Sequence, residues 1–198
     1  MQKKVIVFDV DGVIIDSVSK KYLAFRSVVE QFWLIEDISV KQVLDQRVTR
    51  YLLAEKIYEV SWIHPQKTLA EISRLLALYE APWKIYPTFK ETINFIKQNH
   101  EKYIFFTNTA MDTKTVYSIF QPLWIIIFFE EILGYDTGTK RENIEYILRD
   151  YNPDPKNILF IDDLQSNIDS VAPTWVHTLL FSGDWVSLEA KVWNIFWL

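Results

Sequence analysis

The sequence KVIVFDVDG, residues 4–12, runs a short apolar segment straight into two carboxylates. Residues 5–8 are apolar and rich in β-branched side chains, which predicts for residues 4–8 a strand buried on both faces of a parallel sheet. Asp9 and Asp11 follow at once, and Gly12 offers a turn. Aspartates at the end of a buried strand indicate either a helix cap or a ligand-binding or catalytic site. Polar residues at the ends of the other strands would favour the site.

Composition limits the classes of protein to which the chain can belong. Its 198 residues are 49% hydrophobic and 24% charged, which is typical of a globular protein. The formal charge is −5 and there is no basic stripe, so we expect no nucleic-acid partner. The longest apolar run, residues 123–129, is too short to cross a bilayer, so we expect no membrane partner and a cytoplasmic location. The lack of cysteine excludes disulfides and thiolate zinc sites.

Strand-like and helix-like segments alternate along much of the chain. Further strands are predicted at residues 102–107, 157–162 and 176–181, with a short one within 130–136. This alternation predicts an α/β fold class, with a Rossmann-like parallel sheet and helices on both faces. None of the four glycines forms a G-x-G-x-x-G or P-loop pattern, so phosphate chemistry would need another device.

Residues 18–84 interrupt the alternation, because their apolar side chains recur at helical spacing and no convincing strand appears. We therefore predict an α-helical domain inserted after the first strand, and a core formed by residues 1–17 and 85–198. Directly after the insert, Thr88 and Glu91 have capping-box spacing and predict the start of the next helix.

Each of the three clearest strands ends in polar side chains. Ligands of an open parallel sheet bind beyond the carboxyl ends of its strands. One aspartate at such a place would usually be a helix cap, but three independent strands that end this way indicate a site. The side chains concerned are Asp9 and Asp11, Thr107 and Asn108, and Asp162 and Asp163.

Four carboxylates at one sheet edge would repel one another, so the site needs a cation. Oxygen ligands without cysteine or nearby histidine favour Mg²⁺ over zinc, and Mg²⁺ readily shares its coordination sphere with a phosphate. Lys140, near the start of a predicted helix, could bring a second positive charge. Thr107 offers a hydroxyl group for phosphate oxygens.

These residues closely resemble the motifs of the haloacid dehalogenase superfamily of hydrolases. FDVDGVIIDS at 8–17 is similar to the first motif, FFTNT at 105–109 to the second, and LFIDDLQSN at 159–167 to the fourth. Lys140 is placed like the basic residue of the third motif. The helical insert resembles the type-one cap of this family, and the resemblance covers roughly residues 4–182.

The resemblance implies a Mg²⁺-dependent phosphatase that hydrolyses a small phosphorylated metabolite through an aspartyl-phosphate. Asp9 would be the nucleophile and Asp11 the general acid–base, with the Asp11 backbone carbonyl also on the metal. Thr107, Asn108 and Lys140 would bind the phosphate, and Lys140 would also orient Asp9. The implied metal ligands, with the choice of direct ligand between the last two left open, are Asp9, Asp11, Asp162 and Asp163.

Several alternatives stay open at this level. A phosphomutase shares the core motifs. A phosphonate hydrolase would be expected to use a lysine of the insert, for which Lys20, Lys21 and Lys56 are available. A non-enzymatic binding protein on this fold is a further alternative. Asn167 could orient the metal ligands or cap its own helix. The apolar tail at residues 192–198 could dock on the core or form an oligomer contact, so a monomer or a homodimer is expected.

One segment departs from the family pattern. After the fourth motif many relatives carry small residues and glycine, whereas this chain reads SVAPTWVHT at 170–178. Pro173 and Trp175 in this segment predict altered packing or a reshaped edge of the site.

Overall fold

A computed structural model describes residues 3–44, 50–80, 87–181 and 188–197. Its sheet has five parallel strands in the order β3-β2-β1-β4-β5, so the first strand lies at the centre. The α/β fold class with a parallel sheet is confirmed. The strands are β1 (Lys4–Phe8), β2 (Tyr103–Asn108), β3 (Phe129–Leu133), β4 (Ile158–Asp162) and β5 (His177–Leu180).

Two compact units divide the chain, Met1–Asp16 with Tyr86–Leu198 and Ser17–Ile85. The helices described in the second unit are α1 (Val18–Gln31), α2 (Ile38–Leu44), α3 (Arg50–Ser61) and α4 (Pro65–Glu80). The helices described in the first unit are α5 (Lys90–Asn99), α6 (Thr113–Phe120), α7 (Lys140–Asp150), α8 (Gln165–Val171) and α9 (Leu188–Trp197). None of these helices is long and apolar enough to cross a bilayer.

The sheet is buried on both faces, as the apolar strands predict. Alternate residues of each strand point to opposite faces, so Ile6 and Phe8 join one apolar cluster while Val5 and Val7 join another. Helices α5, α6 and α9 contribute to the first cluster, and α7 and α8 contribute to the second. A sheet covered in this way leaves its strand ends as the open place for polar chemistry.

The apolar tail docks on the core of its own unit. Leu188, Val192 and Phe196 lie on one face of α9 and are buried in the first apolar cluster. Lys4 places its ammonium 5.1 Å from the centre of the Phe196 ring. The buried face of α9 therefore docks on the core, and the predicted oligomer contact stays a prediction.

The inserted unit has an apolar cluster of its own. Its buried members come from all four helices and include Phe25, Val40, Leu53 and Ile72. The helical character predicted for residues 18–84 is thus confirmed over the described part of that range.

The predicted capping box of Thr88 and Glu91 is wrong. Helix α5 begins at Lys90, and Phe89 at its N-cap makes no side-chain capping bond. The backbone of Thr88 instead pairs with Ile15 in an antiparallel bridge. Pairing holds Thr88 in an extended conformation beside Ile15, so the helix starts one residue later than a Thr88 N-cap would place it.

Tryptophan occupies turn positions that favour glycine. In the described ranges, four of the five non-glycine residues with positive φ are tryptophans that follow helical segments, and each of these residues is at least 78% exposed. A left-handed backbone brings Cβ of an L-residue too close to a carbonyl oxygen, at a cost of about 1–2 kcal/mol. The residues are Trp33 (φ 58°), Trp62 (φ 60°), Trp124 (φ 54°) and Trp175 (φ 63°).

We expect Trp175→Gly to raise the free energy of unfolding by roughly 0.5–1 kcal/mol, because relief of strain exceeds the extra freedom of unfolded glycine. Trp193→Gly is the matched control, since Trp193 lies inside helix α9 and its ring stacks 5.4 Å from that of Trp197. This control should lose about 1 kcal/mol. Urea denaturation measures both variants, and a destabilised Trp175→Gly would contradict the strain argument.

Candidate active site

The register of the sheet brings three polar residues to one edge. Phe8 of β1 pairs with Thr107 of β2 and with Ile161 of β4. The next residue of each strand is therefore at the same level, and these residues are Asp9, Asn108 and Asp162. All three are buried, and the register places them at one level of the sheet edge.

The side chain of Lys140, at the start of helix α7, reaches Asp9 and Asp162 at this edge of the sheet. A capping box at Thr139 and Glu142 fixes the first turn, with Thr139 N–H donating to Glu142 Oε2 at 2.7 Å. Lys140 is therefore the first residue of the helix. Its ammonium lies 2.9 Å from Asp9 Oδ1 and 2.6 Å from Asp162 Oδ2, and its side chain is only 10% exposed.

Burial and neighbouring charges shift the pKa values of both Lys140 and Asp9 in this site. Burial disfavours the charged form of Lys140, but the carboxylates of Asp9 and Asp162 outweigh burial and raise its pKa above the ordinary value. Burial raises the pKa of Asp9 to about 7, against the lowering effect of Lys140, and the negative charges of Asp162 and Asp11 add to the rise. A further cation beside Asp9 would therefore favour its ionised form.

An acidic cluster at the same edge has the chemistry of a site for a hard cation. Carboxylate oxygens of Asp9, Asp162 and Asp163 lie within 4.8 Å of one another. Asp9 Oδ1 is buried, and within the described part of the chain it accepts no hydrogen bond of good geometry, although Lys140 is close. Clustered carboxylates with a buried oxygen lacking a hydrogen bond fit the oxygen ligation that Mg²⁺ or a similar ion prefers.

The two aspartates at the end of β4 have different surroundings. Asp162 Oδ1 accepts from Leu164 N–H at 2.9 Å and from the Asn167 amide at 3.0 Å, while its Oδ2 faces Lys140. Asp163 is half-buried, and its carboxylate lies directly against Gly12. Both carboxylate oxygens of Asp162 thus accept hydrogen bonds from protein groups. The carboxylate of Asp163 lies against Gly12 of the first motif.

Gly12 is required by this arrangement. Its φ is +75°, and a Cβ built there would approach Cγ of Asp163 to 2.5 Å. Contacts of that length do not occur between a real Cβ and a side chain, so any larger residue would displace the Asp163 carboxylate or the turn. Asp11, one residue earlier, is half-buried and its backbone bridges to Ile15.

The two predicted phosphate ligands on β2 bind protein groups here. The buried Thr107 hydroxyl donates to Leu133 O at 3.3 Å and accepts from Leu133 N–H at 2.9 Å. The Asn108 amide donates to Lys140 O at 2.7 Å. Their phosphate contacts stay predictions, and Thr107 would have to give up a donor bond to make one.

Sequence reasoning left Asn167 open and missed Asn143. The Asn167 amide lies 3.0 and 3.1 Å from the two oxygens of Asp162, so it orients that carboxylate. Asn143 is buried in α7, and its amide donates to Asn108 Oδ1 at 3.0 Å. Nothing in the local pattern marks Asn143, because its partner Asn108 lies 35 residues away at the end of strand β2.

Comparisons with known proteins agree with this geometry. The sequence model of the haloacid dehalogenase-like hydrolases matches residues 3–172, most of the chain. No curated protein matches the sequence.

Solved structures of similar fold carry related names. A hydrolase of the haloacid dehalogenase-like family from Streptococcus pneumoniae has 18% identity and a TM-score of 0.67, over 98% of this chain and 90% of that one. A predicted phosphoglycolate phosphatase from Haemophilus somnus has 19% identity and a TM-score of 0.64, over 92% and 86%. The HAD-hydrolase YfnB from Bacillus subtilis, solved bound to magnesium, has 16% identity and a TM-score of 0.63, over the full length of both chains. At these identities the solved structures show a shared fold and nothing more. The family model, which matches residues 3–172, shows that the chain belongs to the haloacid dehalogenase-like hydrolases.

Proposed function

We propose that the protein is a Mg²⁺-dependent phosphatase that hydrolyses a small phosphorylated metabolite through an aspartyl-phosphate on Asp9. The observation that carries the proposal is the placement of the Lys140 ammonium 2.9 Å from Asp9 Oδ1, within the cluster of Asp9, Asp162 and Asp163. A buried carboxylate beside a fixed cation, in an acidic cluster that would hold a metal ion, suits attack on a group that carries negative charge.

Asp9, Asp163 and the backbone carbonyl of Asp11 would hold the metal ion. We assign Asp162 to Lys140 instead, because its two oxygens already accept from Leu164, Asn167 and Lys140. The bound ion would act as a Lewis acid that offsets charge on the phosphoryl oxygens.

The chain's own residues would carry the two chemical steps. A carboxylate oxygen of Asp9 attacks phosphorus, the bond to the leaving oxygen breaks, and Asp11 gives that oxygen a proton. Asp11 then takes a proton from a water molecule, which attacks the same phosphorus and releases phosphate from Asp9. Lys140 stabilises the added negative charge during both steps.

Named relatives support the reaction class at the level of the family. One structural relative is described as a predicted phosphoglycolate phosphatase, and another was solved bound to magnesium. A small phosphorylated substrate and Mg²⁺ are consistent with those descriptions.

Phosphate release from p-nitrophenyl phosphate and from a panel of phosphorylated metabolites tests the proposal. The chelator-treated wild type should be inactive and should regain activity with Mg²⁺. A folded, Mg²⁺-loaded protein that releases no phosphate from any ester would overturn the phosphatase assignment. The best substrate of the panel would begin to define the physiological one.

A further inference from the structure

Asn108 and Lys140 hold each other by reciprocal hydrogen bonds. The Lys140 ammonium donates to Asn108 O at 2.9 Å, and the Asn108 side-chain amide donates to Lys140 O at 2.7 Å. The end of strand β2 is thus tied to the start of helix α7 through both the backbone and the side chain of each residue. The position of Asn108 therefore influences the position of the ammonium.

Asn143 holds Asn108 from the other side. It lies one helical turn after Lys140 and is only 1% exposed. Its amide nitrogen donates to Asn108 Oδ1 at 3.0 Å and lies 3.3 Å from each of Gly134 O and Gly138 O.

The contacts of Asn143 also fix the orientation of both amides. Its Oδ1 lies 3.0 Å from the Thr137 hydroxyl, while its nitrogen faces carbonyl oxygens, which can only accept. Because Asn143 donates to Asn108 Oδ1, the nitrogen of Asn108 must face Lys140 O. In this arrangement both amides place their donors against carbonyl oxygens, those of Lys140, Gly134 and Gly138.

Lys140 needs such support because its side chain is long and has several rotatable bonds. Its effect on Asp9 depends on where the ammonium lies, and a misplacement of about 1 Å at a catalytic site can lower a rate by as much as about a hundredfold. The charges of Asp9 and Asp162 attract the ammonium, while Asn108 O supplies a neutral hydrogen-bond acceptor that helps to set its position.

We propose that Asn143 is a positioning residue that acts through Asn108 to hold the Lys140 ammonium on Asp9. The kinetic part of this inference rests on the proposed phosphatase function, whereas the structural part does not.

Steady-state kinetics with p-nitrophenyl phosphate tests the kinetic part. We expect Asn143→Ala to lower kcat by about tenfold with KM within about twofold, because the ground state is still bound. In a Lys140→Ala background the same change should have no further effect, since the residue it positions is gone. Equal losses in both backgrounds would show a general structural role and would overturn the proposal.

Asn99→Ala is the matched control. Asn99 is also a buried helical asparagine, but its amide donates to Phe95 O within its own helix and its Oδ1 accepts from Lys102. Its removal should leave kcat for p-nitrophenyl phosphate unchanged. If the Asn143→Ala variant does not fold, the same experiments use Thr137→Val instead. That change removes the Thr137 hydroxyl that faces Asn143 Oδ1.

Nuclear magnetic resonance of the Lys140 ammonium tests the structural part without any substrate. A buried ammonium that donates to Asp162 Oδ2 and Asn108 O, and pairs with Asp9, should exchange slowly enough to give a ¹H–¹⁵N signal, assigned by its loss in Lys140→Ala. That signal should vanish or broaden in Asn143→Ala and persist in Asn99→Ala. An unchanged signal in Asn143→Ala would overturn the proposal, and this result stands whether or not the wild type proves to be a phosphatase.

Discussion

Asp9→Asn should lower Mg²⁺-dependent phosphate release by at least about a thousandfold, the largest effect expected of a single substitution in this chain. The amide that replaces the carboxylate has nearly the same shape but cannot attack phosphorus. The loss should appear in kcat with p-nitrophenyl phosphate, measured at saturating Mg²⁺.

The Asp9→Asn variant should remain folded, which makes the loss interpretable. Burial raises the pKa of Asp9 to about 7, so at higher pH its charge opposes folding and a neutral amide relieves that cost. Lys140 keeps its contact with Asp162 at 2.6 Å. In chelator at pH 8 the variant should therefore melt at or above the temperature of the wild type.

Asp169→Asn provides the matched control for Asp9→Asn. Asp169 is exposed on helix α8 and bonds the Gln165 side chain. The same change of carboxylate to amide there should leave phosphate release intact. Substantial turnover by a folded Asp9→Asn variant would contradict the assignment of Asp9 as nucleophile.

Gly12→Ala should lower Mg²⁺-dependent turnover by about a hundredfold or more, through the metal site and not through the nucleophile. The added methyl group would overlap the Asp163 carboxylate, so Asp163 or the turn must shift from the arrangement that brings Asp163 near Asp9. A positive φ adds backbone strain of about 1–2 kcal/mol, which should appear as a lower free energy of unfolding.

Asp163→Asn separates the two effects of Gly12→Ala. It removes the proposed metal ligand without adding backbone strain, so it should lose turnover to a similar extent while its stability in chelator stays close to that of the wild type. Isothermal titration with Mg²⁺ should show weakened binding in both variants. Unweakened Mg²⁺ binding in Gly12→Ala would contradict the placement of Asp163 in the metal site.

Much of the core fold could be predicted because its signals are local. Buried parallel strands are short apolar runs, so β1, β2 and β4 were placed to within a residue or so at each end. The shared direction of the strands then predicts that Asp9, Asn108 and Asp162 meet, since carboxyl ends lie on one edge.

Other features could not be predicted because they depend on contacts distant in sequence. Asn143 is a polar helical residue like any other until the fold brings Asn108 against it. The spacing of Thr88 and Glu91 satisfies a capping pattern, but pairing of Thr88 with Ile15 prevails. The separate roles proposed for Asp162 and Asp163 likewise follow from the groups around each carboxylate. Two neighbouring aspartates in a sequence do not reveal those surroundings.

Detection of a phosphoryl group on Asp9 tests the central claim most directly. In Asp11→Asn the base for the second step is absent, while p-nitrophenolate leaves without needing a proton, so the phosphorylated enzyme should accumulate. After acid quenching, mass spectrometry should find one phosphoryl group on the peptide that contains Asp9, and only when Mg²⁺ was present. Steady phosphate release by the wild type, with no phosphoryl group on Asp9 in this trapped variant, would contradict the aspartyl-phosphate mechanism.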